Sequence, residues 1–339
     1  MVRCLFLLLL LSMTISSSAQ LPPGDSIINA KACKQIVEML AADSFLGRFT
    51  GSEKGEQAAR YIANEFRKAG CAPGGPESSF FIPFPFYWKG DSMQANNVAA
   101  ILPGKSKPHQ WIIFSAHYDH VGTKSTNMMA LYMPELGKPE KNDTIYNGAN
   151  DNASGVSALI LLARYFAKAN NNERTLVFLA FSGEELGLLG SQQASLLMNH
   201  DSIMAMINMD MLGVPISRRN KNPVITGSGY SDLQIILNNR LNEKLPGEFD
   251  KNYFRNDPFK SENLFRRSDN YWFALRGVPA HTIIATHPRN KFYHSLNDEP
   301  ATLDYELLAK NIKAVAIGSG SLSDGTQTPS RINPLKINE

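Results

Sequence analysis

Six residues that could bind a metal ion or move a proton lie at the ends of apolar segments of the chain or inside them. They are His117, Asp151, Glu184, Glu185, Asp210 and His294. Buried charges of this kind are costly unless they are paired or bind a metal ion. Divalent cations would also offset the repulsion between the adjacent carboxylates of Glu184 and Glu185. The pattern therefore indicates a metal centre built from distant parts of the chain.

The chemistry of these side chains restricts the metal. Two imidazoles and several carboxylates, with no thiolate, suit zinc, or less selectively cobalt or manganese. One ion does not need so many acids, whereas two ions about 3.5–4 Å apart with a bridging carboxylate form a recurring hydrolytic arrangement. Asp119 lies two residues after His117, and ligating histidines usually donate their second N–H to such a group. We therefore expect Asp119 to orient the His117 ring.

Each segment also has a structural explanation when it is taken alone. His117 and Asp119 could be a hydrogen-bonded loop pair, and residues 148–155 could be a turn that caps the following helix. The adjacent acids could be a solvated helix start that the helix macrodipole favours. Asp210 is harder to explain in this way because it interrupts an apolar strand. The metal hypothesis depends on all of these segments together.

Strand-like and helical patterns alternate along the chain and must position these residues. Strand patterns occupy 96–104, 110–122, 174–181, 202–212 and 278–285, and helical patterns occupy 25–45, 52–70, 156–169, 188–198, 230–245, 269–277 and 303–322. The Pro- and Gly-rich segment 71–86 must be irregular or lie at a sheet edge. This alternation predicts a parallel or mixed sheet covered on both faces by helices. Ligands of such sheets collect beyond the carboxyl ends of the strands.

The two ends of the chain have distinct compositions. Residues 1–19 combine Arg3, a short apolar run and small residues up to Ala19, which is typical of a secretory signal and too short for a membrane span. Cleavage after Ala19 would place the protein in the periplasm or outside the cell. We expect one domain over 20–325 and a polar, frayed tail over 326–339.

The net charge and the cysteine content restrict the possible functions only weakly. The formal net charge of +3 is too small to indicate binding to nucleic acid or to an anionic membrane. Cys33 and Cys71 remain after cleavage of the signal. In an oxidising compartment they could form a disulfide, although two free buried thiols fit the spacing almost as well.

The five segments resemble the motifs of the secreted co-catalytic zinc aminopeptidases, a family related to the transferrin-receptor ectodomain, glutamate carboxypeptidase and glutaminyl cyclase. The matching segments read SAHYDHVG, YNGANDNASG, FLAFSGEELGLLGS, NMDMLG and FYHSLNDEPATLD, and a similar lead-in precedes them. The similarity covers nearly the whole mature chain. It implies a zinc exopeptidase-like α/β fold, with helix, sheet and helix in three layers around a mixed, mostly parallel central sheet.

The resemblance also implies a ligand set for two Zn²⁺ ions per chain. His117 and Asp210 would hold one ion, and Glu185 and His294 would hold the other. Asp151 would bridge the two ions.

The implied reaction is the hydrolysis of N-terminal residues from peptides that have a free N-terminus. A metal-bridged hydroxide would attack the scissile carbonyl, and Glu184 would be the general base that later protonates the leaving amine. Asp119 completes the expected catalytic set. The peptide bond between Asp151 and Asn152 is expected to be cis. From the small net charge and the lack of a later long apolar segment, we expect no nucleic-acid partner and no membrane span in the mature chain; the oligomeric state stays open.

Three alternatives share this fold. A glutaminyl cyclase would use one zinc ion, and its segment at the bridging position does not usually contain DNASG. A dipeptidase or carboxypeptidase would need basic side chains to bind the substrate carboxylate, for which Arg266, Arg267 and Arg289 are candidates. A non-catalytic, receptor-like binding domain would have lost metal ligands, whereas every expected ligand is present here.

Some features depart from the family pattern. Ser268-Asp269-Asn270 stands where the family often has Ser-Asp-His, at a position that does not bind metal, so substrate contacts are the feature in doubt. The segment 123–146 is expected to form a loop at the rim of the cleft. Structural or surface roles are expected for the remaining histidines, with His120 the best placed to line the cleft; they are His109, His120, His200, His281 and His287.

Overall fold

The computed structural model describes residues 24–126 and 143–337. The predicted signal segment 1–19, most of the expected rim loop 123–146 and the last two residues lie outside the described residues. Within the described ranges, every helix is too short or too polar to span a lipid bilayer.

Helices and strands alternate as the sequence predicts, with two additional short strands at residues 224–225 and 255–256. The helices are α1 (Gly24–Ile27), α2 (Ala30–Leu40), α3 (Glu53–Lys68), α4 (Ser154–Ala169), α5 (Leu189–Leu197), α6 (Leu233–Lys244), α7 (Asn270–Ala274), α8 (Tyr305–Gly318) and α9 (Gly320–Ser323). The strands are β1 (Ala72–Pro73), β2 (Phe81–Trp88), β3 (Asp91–Leu102), β4 (Lys107–His117), β5 (Arg174–Phe181), β6 (Ile203–Asp210), β7 (Val224–Ile225), β8 (Arg255–Asn256) and β9 (Ala280–Ile284).

The strands form one mixed sheet in the order β1-β3-β5-β4-β6-β9-β7-β8, with β2 paired to β3. Strands β5, β4, β6 and β9 are parallel neighbours, and the antiparallel strands lie toward the two edges. This arrangement confirms the predicted mixed sheet, although four of the eight pairings among the described strands are antiparallel. The four parallel strands end at the same side of the sheet, where the sequence places most of its candidate ligands.

Helices cover both faces of the sheet, which confirms the three-layer prediction. Along β4, Ile112 and Phe114 belong to the core that includes α2, α3, α4, α6 and α8, whereas Ile113 faces the smaller core beside α5 and α7. Every residue of β5 is buried. A parallel strand covered on both faces reads as a continuous apolar run, which explains why the segment 174–181 does not alternate.

The hairpin of β2 and β3 extends beyond the rest of the sheet. Residues 98–102 of β3 pair with β5, whereas residues 91–97 pair only with β2 among the described strands. Val98 lies opposite Ala180, and the two strands are antiparallel. The outer part of the hairpin, residues 82–97, therefore projects past the carboxyl end of β5. We call this part the hairpin arm.

The expectation that the polar C-terminal tail 326–339 is frayed is wrong for its described residues. Ile332 and Ile337 are buried in the core beside α7. The guanidinium of Arg331 donates hydrogen bonds to the carbonyls of His200 and Ile203. Two isoleucines in an otherwise polar segment thus hold it against the domain, and packing continues to residue 337.

Cys33 and Cys71 are free and buried. Burial raises the pKa of each thiol to about 12, so neither forms a reactive thiolate at neutral pH. Of the two possibilities that the spacing left open, the structure has two free buried thiols.

A buried histidine on β9 makes the stability of this fold depend on pH. The Nδ1 atom of His281 lies 2.8 Å from the carbonyl oxygen of Thr226, and Nε2 lies 2.7 Å from the Ser231 hydroxyl. Burial lowers the pKa of His281 to about 4, although the bond to Thr226 opposes this shift. The unfolded chain therefore binds a proton at a higher pH than the folded chain does.

We predict that the free energy of unfolding of the metal-free protein decreases as the pH falls from about 6.5 to about 4. His281→Gln should remove about 3 kcal/mol of this decrease. Urea unfolding at several pH values in the presence of a chelator measures the difference. His109→Gln at an exposed position is the control and should keep the wild-type slope. Equal slopes for His281→Gln and the wild type would contradict the assignment.

Candidate metal centre

Three parallel strands deliver four candidate residues to one place. His117 is the last residue of β4, Asp210 is the last residue of β6, and Glu184 and Glu185 follow β5 in a short turn. Because these strands end at the same side of the sheet, their polar ends meet. The His117 Nε2 atom lies 3.6 Å from Asp210 Oδ1.

The fifth residue, Asp151, lies in the turn 149–153 that leads into α4. The carboxylate of Asp298 fixes this turn, since its two oxygens accept the N–H groups of Asn150 and Asp151, each at 2.9 Å. The side chain of Asn152 donates to the carbonyl of Met209 at the end of β6. The peptide bond between Asp151 and Asn152 is cis, as the resemblance implies.

The Asp151 carboxylate lies between two groups of ligand atoms. Its Oδ1 is 3.4 Å from His117 Nε2, and its Oδ2 is 3.2 Å from His294 Nε2. His294 Nε2 is also 2.8 Å from Glu185 Oε2. Ligands about 2.0–2.1 Å from a tetrahedral zinc ion lie roughly 3.3 Å apart. The distances from Asp151 to both rings and from His117 to Asp210 are close to this spacing, whereas His294 and Glu185 lie at hydrogen-bond distance.

Buried atoms without partners also fit a metal ion. Asp210 Oδ1 has no hydrogen-bond partner among the described residues, although Ser268 donates to the other oxygen of this carboxylate at 2.8 Å. A buried carboxylate oxygen of this kind is costly unless a cation meets it. The donor set of imidazoles and carboxylates without thiolate suits zinc. The residues therefore fit the metal that the sequence predicts.

The two expected imidazole ligands lie in a strongly negative environment. Burial alone would lower the pKa of His117 and of His294, but neighbouring carboxylates, mainly Glu184 for His117 and Glu185 for His294, raise both values well above the usual range. The same carboxylates attract a metal cation. Protons and metal ions therefore compete for these rings, and metal affinity should rise with pH.

The adjacent acids have opposite properties. Burial and the charges of Glu185, Asp269 and Asp210 raise the pKa of Glu184 well above its usual value, although His117 opposes the shift. The pKa of Glu185 is lowered to about 2, because the neighbouring histidines, His294 foremost, outweigh burial. Glu185 is thus a fixed anion and Glu184 can exchange a proton. His117, Glu184 and Glu185 also form a third possible ligand group, with one ligand atom from each within 4.8 Å of the others.

Asp119 does not make the contact that the sequence predicts. Its carboxylate lies 3.8 Å from His117 Nδ1, too far for a hydrogen bond. The ring instead lies 3.2 Å from the backbone carbonyl of Asp119. The carboxylate accepts the N–H groups of Glu184 and Glu185 and the hydroxyl of Thr50. The main chain of Asp119 thus orients the imidazole, and its side chain positions the acid pair.

His120 lies closer to the metal centre than the sequence indicates. Its Nδ1 is 2.7 Å from Glu185 Oε1 and 3.9 Å from Asp151 Oδ2, which adds it to the group of Asp151, Glu185 and His294. The ring is buried, and its Nε2 has no hydrogen-bond partner among the described residues. The spacing of His117 and His120 in one segment is the signal that could have identified it.

Sequence reasoning also missed Arg48, a buried cation beside the site. Its guanidinium donates hydrogen bonds to the carbonyls of Leu40, Tyr118, Asn147 and Gly148. Burial lowers its pKa to about 10, and the carboxylates of Asp298, Asp151, Asp119 and Glu185 oppose this shift. Arg48 therefore remains charged at neutral pH. It joins the segments that carry His117 and Asp151 and balances part of their negative charge.

The segment Ser268-Asp269-Asn270 is buried next to the metal centre, where Ser268 donates to Asp210. Thr282 donates to the Asn270 side chain, which in turn donates to the carbonyl of Phe265. Burial raises the pKa of Asp269 to about 7, with further contributions from nearby carboxylates. The departure from the expected histidine at Asn270 therefore lies in a packed hydrogen-bond network and not in the cleft wall.

A narrow cleft of about 50 Å³ opens onto the acids. Its apolar wall includes Met211, Leu264 and Ile284, and Tyr293 closes it by stacking on the ring of His294, with centroids 3.9 Å apart.

Of the three arginines considered for a substrate carboxylate, Arg267 alone reaches this cleft. Arg266 donates to the carbonyl of Ile337, and Arg289 pairs with Glu262.

Comparison with known proteins adds independent information. Residues 97–317 match the model of peptidase family M28. A probable zinc metalloprotease of Phaeosphaeria nodorum is 30% identical over 177 residues, which cover 48% of this chain and 34% of that protein. A probable leucine aminopeptidase of Trichophyton verrucosum is 27% identical over 295 residues, 82% of this chain and 68% of that protein. The chain spans between a third and about half of the length of the first relatives that it matches.

Solved structures show the same fold at low identity. A zinc aminopeptidase from Bacillus subtilis superposes with a TM-score of 0.65 at 16% identity, covering 92% of this chain and 98% of its own. A glutaminyl cyclase from Porphyromonas gingivalis gives 0.65 at 17% identity, covering 87% and 99%. Because both superpose equally well, the fold does not distinguish the two activities.

Arg48 should be needed for stability. We predict that Arg48→Met lowers the free energy of unfolding by about 3–5 kcal/mol, because it leaves buried carbonyls and carboxylates without their cation. Arg48→Lys keeps the charge but offers fewer donors, so its free energy of unfolding should lie between those of the wild type and Arg48→Met. Urea unfolding tests this order, with the exposed Arg218→Met as a control that changes stability by less than about 0.5 kcal/mol. A neutral effect of Arg48→Met would remove this role.

Proposed function

This chain belongs to peptidase family M28, and from that membership we propose that it is a zinc-dependent aminopeptidase that removes N-terminal residues from peptides. One observation carries the proposal. The carboxylate of Asp151 lies between two buried groups of ligands, and Glu184 beside them has a carboxyl group that can exchange a proton. Ligand-bound cations next to a proton acceptor are the components that metal-assisted hydrolysis requires.

The proposed enzyme holds two Zn²⁺ ions. His117 and Asp210 would hold one ion, Glu185 and His294 would hold the other, and Asp151, which lies between the two groups, would be shared by both. The supporting observation is that Asp151 belongs both to the group with His117 and Asp210 and to the group with Glu185 and His294. When bound, zinc supplies Lewis acidity that lowers the pKa of a water molecule toward ~7 and polarises the scissile carbonyl.

Glu184 moves the proton in this scheme. Its carboxylate takes a proton from the attacking water as the new C–O bond forms. It then gives that proton to the leaving nitrogen as the C–N bond breaks. A raised pKa suits both steps, because the group can hold the proton between them. Asp119 positions Glu184 by accepting its backbone N–H.

The small cleft accounts for removal of single N-terminal residues. Its volume of about 50 Å³ leaves no room for further peptide before the N-terminal residue, and its apolar wall of Met211, Leu264 and Ile284 favours an apolar side chain there. The positively charged α-amine of the substrate is attracted to the surrounding carboxylates. We therefore propose apolar N-terminal residues, such as leucine, as substrates.

Glutaminyl cyclase is the second candidate, because the fold is equally similar to a structure of that enzyme. A glutaminyl cyclase that uses one zinc ion would not need the second ligand group around His117 and Asp210. Cyclisation of an N-terminal glutamine without hydrolysis of leucyl substrates would favour that candidate over the aminopeptidase.

Removing the proton acceptor should separate metal binding from turnover. We predict that Glu184→Gln keeps about two zinc ions per chain but lowers kcat by at least 10²-fold, because the amide cannot accept the proton. Plasma mass spectrometry of the purified protein measures the zinc, and hydrolysis of leucinamide measures the turnover. Glu38→Gln, at an exposed position, should behave as the wild type. A fully active Glu184→Gln would show that another group is the base.

Tyr293 should assist the same reaction. Burial and the carboxylates of Glu185, Asp151 and Glu184 raise the pKa of Tyr293 well above its usual value, so its hydroxyl keeps its proton and can donate to the carbonyl oxygen as negative charge develops there. We predict that Tyr293→Phe lowers kcat for leucinamide by about 10²–10³-fold with little change in KM and in zinc content.

The ring of phenylalanine can still stack on His294, so the Tyr293→Phe variant should fold. Tyr61→Phe on α3 is the matched control and should leave both kinetic constants unchanged. A large rise in KM with an unchanged kcat would instead assign Tyr293 to substrate binding.

A further inference from the structure

A second cavity, with a volume of about 520 Å³, shares Glu185 with the metal centre. Ligand sites in proteins commonly have volumes of about 300–1,000 Å³. We call this cavity the aromatic groove and define it by the side chains that form most of its wall. They are Phe49, Phe86, Tyr87, Trp88, Leu186 and Leu189.

The hairpin arm and the turn after the acid pair build the groove together. Leu186 and Leu189 pack against the small apolar cluster of Phe84, Phe86 and Ala95. This cluster is separate from the two cores of the sheet. The arm therefore lies over the turn that carries the proposed base, because it projects past the end of β5.

Hydrogen bonds fix the arm in this position. The Asn97 side chain accepts the N–H of Ser182 and donates to the carbonyl of Gly190, so it bonds to the turn on both sides of the acids. Asn97 thus joins the hairpin arm to the turn that carries Glu185.

The aromatic wall is open to solvent on its outer side. The Tyr87 side chain is 80% exposed. Trp88 is half-buried, and its ring lies 5.0 Å from that of Phe49. Exposed aromatic side chains beside a cavity are typical of sites that bind an apolar partner.

We propose that the aromatic groove binds the part of a peptide substrate that follows the scissile bond, and that it selects apolar or aromatic side chains in the first two downstream residues. This inference rests on the proposed aminopeptidase function. Glu184 protonates the leaving nitrogen in that function, so the leaving peptide begins beside Glu184. The aromatic groove begins at the next two residues, Glu185 and Leu186.

The other cavity at the site cannot accept this part of the substrate. It has a volume of about 50 Å³, which is too small for two further residues. An extended peptide advances about 3.3 Å per residue, so two downstream residues need a path of roughly 7 Å. Of these two cavities at the described part of the metal centre, the aromatic groove is the one that is large enough for them.

The charge of the groove indicates peptides longer than two residues. Among the described residues that line it, Glu185 alone is charged. Lys89 lies over the Trp88 ring, 5.6 Å from its centroid, and does not line the groove. The free carboxylate of a dipeptide would lie in an apolar groove beside Glu185, and none of the described lining residues is a cation that could bind it. The groove therefore favours oligopeptides.

The kinetic test compares short substrates that share the same N-terminal leucine on zinc-loaded full-length protein. We expect kcat/KM for Leu-Phe-Phe-amide to exceed that for Leu-Gly-Gly-amide by about tenfold or more, as burial of two aromatic side chains predicts. Leu-Phe with a free carboxylate should be a poorer substrate than Leu-Phe-amide. Values of kcat/KM within twofold for the two tripeptide amides would overturn the inference while leaving the proposed function in place.

Variants of the wall locate the effect. Trp88→Ala and Tyr87→Ser should each lower the ratio of the two tripeptide kcat/KM values, toward one in Trp88→Ala. Leu197→Ser on α5 removes another exposed apolar side chain, 72% exposed, and should keep the wild-type ratio. Thermal melting checks folding, and Tyr87→Ser remains informative if Trp88→Ala is unstable. A wild-type ratio in both folded wall variants would contradict the assignment.

A binding measurement separates this inference from the proposed function. In Glu184→Gln, Leu-Phe-Phe-amide should shift the tryptophan emission to shorter wavelength as Trp88 is covered, and Leu-Gly-Gly-amide should shift it less. The double variant Glu184→Gln with Trp88→Phe should lose the shift. Binding without hydrolysis by the wild type would support the groove and overturn the aminopeptidase. Absence of the shift in the folded single variant would overturn the groove.

Discussion

The Asp151 carboxylate has one oxygen near His117 and the other near His294, and most of the structure around it serves to keep it there. The turn that carries Asp151 is irregular and buried, so its backbone needs partners. The Asp298 carboxylate supplies them from the loop that also carries His294. One aspartate thus fixes the distance between two ligand-bearing segments that are almost 150 residues apart in the chain.

Negative charge is the main cost of this arrangement. Several carboxylates meet at the ends of parallel strands in a place with little water. The chain offsets that charge with the Arg48 guanidinium and with imidazoles that gain protons when no cation is bound. It also makes neighbouring acids unequal. Glu185 faces two histidine rings and stays ionised. Glu184 lies near other acids, which make the ionisation of its carboxyl group less favourable. In the proposed function, the different roles of Glu185 in binding a cation and of Glu184 in moving a proton therefore come from their surroundings and not from residue type.

The sequence predicts the fold and the composition of the site well, because both leave local signals. Apolar runs that end in a carboxylate or imidazole mark the ends of β4, β5 and β6. The contacts that orient these residues leave no such signal. Arg48, Asp298 and His120 act through segments that the fold brings together.

Two errors have the same origin. The Asp119 side chain was expected to bond to a ring two residues away, but it bonds instead to the backbone of the acid pair. The polar tail was expected to fray, although two isoleucines hold it in the core beside α7. A local pattern shows which groups are available, and the fold determines which of them meet.

Prolines in the hairpin arm affect whether the molecule can associate with other copies through strand pairing. Strand β2 pairs only with β3 among the described strands, so its other side is a free edge. Free edges invite strand addition by other chains. Pro83 and Pro85 are exposed and two residues apart, so both point the same way and neither has an N–H to offer. The edge therefore lacks donors that an added strand would need. The aromatic side chains beside it can remain exposed without promoting aggregation through strand addition.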